Sequence, residues 1–258
     1  MFEKRTAFAH QMADLSGELI LKYFRRPVDV CDKADSSPVT EADKGSERLM
    51  RNMIERCFPD DGIIGEEYGK KNEDAEFVWV LDPIDGTKSF IAGVPLFGTL
   101  IALLHNGVPV LGVINQPFTK ERWVGVAGKR TTLNGTDVAV RRCADLNRAV
   151  LFSTADKQMF ADPDDKRRFT SLCDRVKTAR FSTDCYGYGL LSTGCADIVC
   201  EADMKLYDYA ALMPIVAGAG GVMSDWNGND LFENKGGGRI LALGDPDLLS
   251  AVLEVLNR

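Results

Sequence analysis

The stretch Trp79-Val80-Leu81-Asp82-Pro83-Ile84-Asp85-Gly86-Thr87 constrains this chain more than any other. The apolar run from Phe77 to Leu81 reads as a buried strand, and it leads directly into two carboxylates three residues apart. In this reading Pro83 and Gly86 fix a turn that aims Asp82 and Asp85 at one spot. Oxygen donors of this kind suit a hard divalent cation. Mg²⁺ takes oxygens at ~2.1 Å in octahedral geometry, keeps several waters, and is held by a few carboxylates together with a substrate phosphate. The Ile84 carbonyl can add a neutral oxygen, and the Gly86 and Thr87 amides remain to meet an anion. With 38 acidic residues in 258, two acids three apart recur by chance. The weight lies in the whole hexapeptide behind an apolar strand.

The totals narrow the remaining choices. A chain of 258 residues with 45% hydrophobic and 27% charged content is globular and can bury a core as one large domain or two smaller ones. Its net charge of −7 argues against nucleic acid or an anionic membrane as partner. Acids gathered in one cleft also repel a phosphate ester, so cations must bind there first. Seven cysteines, odd in number and without a C-x-x-C pair, suit reduced thiols better than a disulfide framework or a zinc site. The N-terminus lacks the apolar run of a secretion signal, and no apolar segment reaches the ~18 residues that span a bilayer. The expected setting is the cytoplasm. His10, in a helical pattern, and His105, near a strand end, read as structural or surface residues. Catalysis is left to carboxylates, hydroxyls and metal.

Along the chain, Phe8, Met12, Leu15, Leu19 and Tyr23 repeat at helical spacing until Pro27 and predict a core helix. Ser36-Ser37-Pro38-Val39-Thr40-Glu41-Ala42-Asp43 reads as a helix start with Thr40 as cap. Leu49, Met50, Met53, Ile54 and Cys57 form the buried face that follows. Asp43 could simply favour the helix dipole from the first turn. Gly62 to Gly65 is a short apolar strand ending in Glu66-Glu67, and two adjacent strands could deliver acids to one end of a sheet.

Thr99 to Leu104, Val108 to Ile114 and Arg122 to Ala127 predict an antiparallel meander with an Asn106-Gly107 turn, and Asn134-Gly135 marks a further hairpin. Around Arg141 to Asn147 the pattern changes, which divides the chain into an N-terminal lobe, 1–145, and a C-terminal α/β lobe, 146–258. In the second lobe strands at Ala149 to Ser153, Ala179 to Thr183, Ala196 to Glu201 and Gly221 to Asp225 alternate with helices. These helices cover Pro163 to Val176, begin at Asp184 and at Tyr207, and close with Asp247 to Leu256. The cluster Gly218-Ala219-Gly220-Gly221 follows a helix and precedes a strand, the reverse of a dinucleotide loop.

Four motifs stand in one order: S-P-V-T-x-A-D ending at Asp43, G-E-E at Gly65 to Glu67, D-P-I-D-G-T at Asp82 to Thr87, and x-D-x-A-A at Tyr207 to Ala211. Together they resemble the inositol monophosphatase family of Mg²⁺-dependent, Li⁺-sensitive sugar-phosphate phosphatases, with Tyr207 where the family has Trp. The resemblance implies an α/β (α+β) fold layered as an α-β-α-β-α sandwich, with the metal cluster between lobes and a homodimer. It implies that Glu66, Asp82 and the Ile84 carbonyl bind one Mg²⁺ and that Asp82, Asp85 and Asp208 bind a second. Asp43 would lie near a third, weaker site through water. Glu66, Thr87 and Asp82 would be catalytic, with Glu66 and Thr87 orienting and deprotonating a water for in-line attack. Gly86 and Thr87 would hold phosphate oxygens, and Glu67 is a weaker candidate beside Glu66.

Beyond Thr87 the chain departs from the inositol enzymes, which continue with a small polar residue and Asn. Lys88-Ser89-Phe90-Ile91, Gly65-Glu66-Glu67-Tyr68-Gly69, Asp184-Cys185-Tyr186 and Lys205-Leu206-Tyr207-Asp208 resemble the histidinol-phosphatase branch more closely. In that likeness Asp184, Glu201 and Asp85 line the substrate pocket. Histidinol phosphate carries an ammonium and an imidazole, and buried acids opposite a cation form charge-assisted hydrogen bonds worth about 1.5–3 kcal/mol. Glu201 would also accept a polyol hydroxyl, and Asp184 could be a helix N-cap. The expectation is a Mg²⁺-dependent phosphomonoesterase acting on L-histidinol phosphate. An inositol or related sugar-phosphate phosphatase is the second reading. A non-catalytic cation-binding regulatory protein is the third, against which the intact Glu66, Thr87 and three Asp ligands speak.

Overall fold

Along the strand that carries the signature, Val78 and Val80 pack into one apolar cluster and Trp79 and Leu81 into another, and all four are buried. A strand apolar on both faces needs a covering layer on each side. The structure, a computed structural model, describes residues 2–27, 30–32, 38–154, 160–232 and 238–257; Ser37 of the first motif and Ser36 before it lie outside them.

In chain order the elements are α1 (Glu3–Leu21), β1 (Val30–Asp32), β2 (Pro38–Thr40), α2 (Glu41–Cys57), β3 (Gly62–Gly65), β4 (Gly69–Lys71), β5 (Phe77–Asp85) and α3 (Thr87–Ile91). There follow β6 (Gly98–His105), β7 (Val108–Gln116), β8 (Glu121–Val126), β9 (Thr132–Leu133), β10 (Thr136–Asp137), β11 (Val150–Ser153), α4 (Pro163–Cys173) and β12 (Thr178–Phe181). The chain closes with α5 (Asp184–Ser192), β13 (Ile198–Glu201), α6 (Leu206–Tyr209), α7 (Leu212–Gly218), β14 (Val222–Ser224), β15 (Ile240–Leu243) and α8 (Leu249–Leu256).

An eight-stranded sheet runs β10-β9-β8-β7-β6-β5-β3-β4, and a five-stranded sheet runs β12-β11-β13-β15-β14. On the outer face of the first, Phe8 and Met12 of α1 and Met50 and Ile54 of α2 pack on Trp79, Leu81, Ile101 and Leu103. Between the sheets lie α5, α6 and α7, where Tyr188, Leu191, Leu212 and Ile215 meet Val80 and Leu100 on one side and Val199 and Ala242 on the other. Outside the second sheet, Phe169 and Leu172 of α4 and Val252 and Leu256 of α8 cover Leu151, Ile198 and Leu241. This is the five-layer α-β-α-β-α sandwich that the motifs imply. The meander is present as β6, β7 and β8, and its first turn takes the left-handed conformation at both Asn106 (φ 50) and Gly107 (φ 80). No described helix is long and apolar enough to cross a membrane.

Three local expectations need correction. The buried face of α1 is Phe8, Ala9, Met12, Ala13, Ser16, Gly17 and Ile20, while Leu15 is exposed. Close approach favours small residues here, since a Cβ on Gly17 would stand 3.0 Å from Pro117. The inner face of α2 includes Asp43, Ser46 and Glu47 beside Met50 and Ile54, while Cys57 is exposed. Strand β15, unforeseen in the sequence, pairs antiparallel with both β13 and β14.

Candidate active site

Strands β3 and β5 pair in parallel with Gly65 opposite Leu81, so the next residues, Glu66 and Asp82, follow at the same end of that pairing. The signature is not a turn after a strand, as its Pro and Gly suggest, because β5 continues through Asp85. Asp82 pairs with Leu100 and Asp85 with Gly98, which sets three steps of β5 against two of β6. That extra residue is a bulge, and it matters for parity. On a regular strand residues three apart face opposite sides; the bulge lets both acids turn to one side. Asp208 arrives from α6, its Oδ2 accepting the Lys205 amide at 2.6 Å. Ligand oxygens of Asp82, Asp85 and Asp208 all lie within 4.8 Å of one another.

Other contacts fix the group. The Ile84 amide donates to Asp82 Oδ1 at 3.1 Å, and the Ile84 carbonyl accepts the Thr87 hydroxyl at 3.1 Å. Asp85 Oδ2 accepts the Cys185 amide at 2.6 Å, which joins the signature strand to the start of α5. Thr40 caps α2, and its amide and hydroxyl both donate to Asp43 Oδ2. Asp43 Oδ1 is buried without a hydrogen-bond partner.

The electrostatics follow from crowding like charges out of water. Burial pushes Asp82 well above the ordinary carboxylate range, and the charges of Glu66, Asp85 and Asp208 push it further. Burial does the same to Asp85, with Asp184 and Asp208 adding to it. Asp208 is raised to about 8 by burial, against the Lys205 amide and with the charges of Glu66 and Glu201. Asp43 is raised by burial too, despite its two bonds from Thr40. Carboxylates this close cannot all ionise unaided. An all-oxygen donor set, acids that need a counter-charge, and a buried orphan oxygen on Asp43 together fit divalent cations.

A cavity of about 280 Å³ opens beside this group, walled by Glu66, Asp85, Gly86, Thr87, Asp208, Asp184 and Glu201 among others. Asp43, Asp82 and Ile84 are not part of its wall. In the same wall, Glu201 Oε1 accepts the Thr154 amide at 3.0 Å and the Thr154 hydroxyl at 2.7 Å, and Oε2 accepts the Tyr188 hydroxyl at 2.9 Å. Burial lifts Glu201 to about 7 against those bonds. Asp184 is not the N-cap of α5: Thr183 holds that position. Its Oδ2 accepts the Ser89 hydroxyl at 2.6 Å instead. A Cβ on Gly86, whose φ is 84, would come within 2.8 Å of the same carboxyl.

Thr154, Tyr188 and Ser89 carry no assigned role in the sequence reading. Tyr188 stands one helical turn after Asp184, the only signal that could have drawn attention to it. Neither His lines the cavity: His10 meets Arg122, and His105 stacks on Phe77 beside Glu76.

The decisive likeness is to a family model for inositol monophosphatases, which matches residues 1–256. The chain belongs to the inositol monophosphatase family. As a member it is a metal-dependent phosphomonoesterase. This inositol monophosphatase relative is 45% identical over 263 residues to the chloroplastic bifunctional phosphatase IMPL2 of Arabidopsis thaliana, covering 99% of this chain and 75% of that protein. It is 39% identical over 221 residues to a histidinol-phosphatase of Chlorobaculum parvum, covering 85% of each. The solved inositol monophosphatase of Zymomonas mobilis shares its fold with a TM-score of 0.90 at 43% identity, covering 100% of this chain and 99% of that one.

Proposed function

We propose that this enzyme hydrolyses L-histidinol phosphate to L-histidinol and phosphate. The observation that carries the reading is a pair of buried carboxylates outside the Asp82, Asp85 and Asp208 group, Asp184 and Glu201, in the wall of the cavity that Asp85 and Asp208 also line. A substrate with an ammonium and an imidazole offers cationic donors to both. Asp85 lines the same cavity and feels the charges of both Asp184 and Asp208. The histidinol-phosphatase relative supports the same assignment.

Glu66, Asp82 and the Ile84 carbonyl would hold one cation, and Asp82, Asp85 and Asp208 another, with Asp43 reaching a third through water. Such cations, Mg²⁺ in this reading and two or three per site, neutralise phosphate charge and acidify water when bound. Glu66, on the cavity wall beside Asp82, receives the proton of the attacking water. Thr87 gives its own proton to the Ile84 carbonyl, which leaves its oxygen to accept and orient that water. The Gly86 and Thr87 amides open α3, where first-turn N–H groups lack carbonyl partners within a helix, and they take phosphate oxygens. Cys185 also lines the cavity, but burial and the Asp85 charge hold its thiol well above the ordinary range. Without a ready thiolate, direct attack by water is the route. A homodimer in the cytoplasm belongs to the same reading.

Glu201 supports a second reading, an inositol or related sugar-phosphate phosphatase, because its oxygens accept a hydroxyl as readily as an ammonium. Phosphate release from histidinol phosphate and from inositol 1-phosphate, measured side by side with Mg²⁺, separates the two. Higher kcat/KM on histidinol phosphate is expected, and preference for the inositol ester would overturn the substrate assignment.

A further inference from the structure

We infer that Glu47, which lies outside every residue given a role above, positions Glu66 and thereby sets the affinity of the site for divalent cations. The inference rests on the reading of Glu66 as a metal ligand. Glu47 stands one helical turn after Asp43 on α2 and is 0% exposed. Its Oε2 accepts the Glu67 amide at 2.7 Å, and its Oε1 accepts the Tyr68 amide at 3.2 Å. Oε1 also accepts Arg51 Nε at 2.7 Å, and the same guanidinium donates to the Gly69 carbonyl.

One carboxylate and one guanidinium of α2 thus hold the backbone from 67 to 69. On the other side of Glu66, Gly65 pairs with Leu81 in the sheet, and the Glu66 amide donates to the Leu81 carbonyl at 3.2 Å. The Glu66 backbone is therefore clamped from the sheet on one flank and from Glu47 on the other. Space enforces the arrangement, because a Cβ on Gly65 would fall 2.0 Å from Glu47 Oε1. Gly65 lies outside the left-handed region, so glycine is needed there for room and not for conformation. A ligand held in place before the cation arrives loses no ordering entropy on binding. Groups that orient a metal ligand in this way typically contribute about 10- to 100-fold to affinity.

The test is Glu47→Gln in the full chain. Glutamine keeps the shape but turns an NH₂ toward Arg51 or toward the loop amides, donor against donor. Titration calorimetry with MgCl₂ should show binding weakened about 10- to 100-fold. The Mg²⁺ concentration for half-maximal phosphate release should rise in parallel, and kcat at saturating Mg²⁺ should fall far less. A purely structural role would lower the melting temperature of the metal-free protein and leave Mg²⁺ affinity alone. Gly65→Ala keeps Glu47 but takes the room its carboxylate occupies; it should give the same shift and serves if Glu47→Gln does not fold. Wild-type Mg²⁺ affinity in either folded variant would overturn the inference. A wild-type chain that binds no Mg²⁺ would instead refute the underlying reading of Glu66.

Discussion

Glu201 offers a measurable link between the pocket and the stability of the fold. Its carboxyl is raised from 4.5 to about 7, chiefly by burial. At ~1.4 kcal/mol per pH unit, ionising it in the folded chain costs about 3 kcal/mol more than in the unfolded one. Between pH 4.5 and about 7 the folded chain keeps this proton while the unfolded chain has released it. The folded state then binds more protons, so this contribution to stability is complete below 4.5 and is lost as pH rises through about 7. Glu201→Gln removes the titration and little else. The amide oxygen still accepts the Thr154 amide and hydroxyl, and the Tyr188 hydroxyl can turn toward Met204 Sδ, 3.8 Å away. Asp208, which the Glu201 charge also raises, ionises more easily in the variant and adds to the effect. The assay is thermal melting of both proteins with a chelator present, at pH 5.5 and pH 8.5. Wild type should lose more stability than Glu201→Gln over that interval by about 2 kcal/mol, since part of the effect is already spent at pH 5.5; that is roughly 4–8 °C for a chain of this size. Parallel pH profiles for the two proteins would refute the reasoning.

Asp184→Asn should reduce kcat/KM for histidinol phosphate about tenfold or more, the worth of one charge-assisted bond, and change inositol 1-phosphate turnover far less; equal losses on both esters would show that Asp184 does not read substrate charge. Because Asp208 holds its proton up to about 8 and that proton must leave before a cation binds, apparent Mg²⁺ affinity should rise with pH up to about 8, by about tenfold per unit if one proton is exchanged. Calorimetric titrations at pH 6.5 and pH 8.5 check this, and a flat profile would contradict it. Gly112→Ala should destabilise the chain by about 1–3 kcal/mol or more, since the added Cβ would fall 1.9 Å from the Ala211 carbonyl; an unchanged melting temperature would mean that α7 does not sit as close to β7 as described.

What the sequence revealed and what it hid divide along one physical line. Residues that a strand or a helix places by its own geometry were legible: Glu66 follows β3, Asp82 ends the apolar run of β5, and Thr40 caps the helix that carries Asp43. The face of α1 was misread because a count of large apolar residues passes over Ala9, Ala13 and Gly17, which are buried for their small size. Partners fixed only by tertiary contact left no local trace. Thr154 and Glu201 are 47 residues apart, and the amides that Glu47 receives lie 20 and 21 residues downstream, so Glu47 reads in isolation as a solvated acid.

The signature itself stands between these cases. Its two acids were expected to converge through a turn, and a regular strand would instead have sent them to opposite faces of the sheet. Convergence depends on one extra residue in β5 against β6, which no spacing rule within 82–87 announces. The Thr99 hydroxyl donates to the Pro83 carbonyl at 2.9 Å inside that bulge, so a neighbouring strand holds the conformation on which the ligand geometry rests. A side chain that removed this bond, as in Thr99→Val, would leave the Pro83 carbonyl without it in a buried site, at a cost of about 1–3 kcal/mol. The loss should appear as lower metal-free stability together with weaker Mg²⁺ binding. Weaker stability with unchanged Mg²⁺ binding would separate the bulge from the metal site and return the convergence of Asp82 and Asp85 to Pro83 and Gly86 alone.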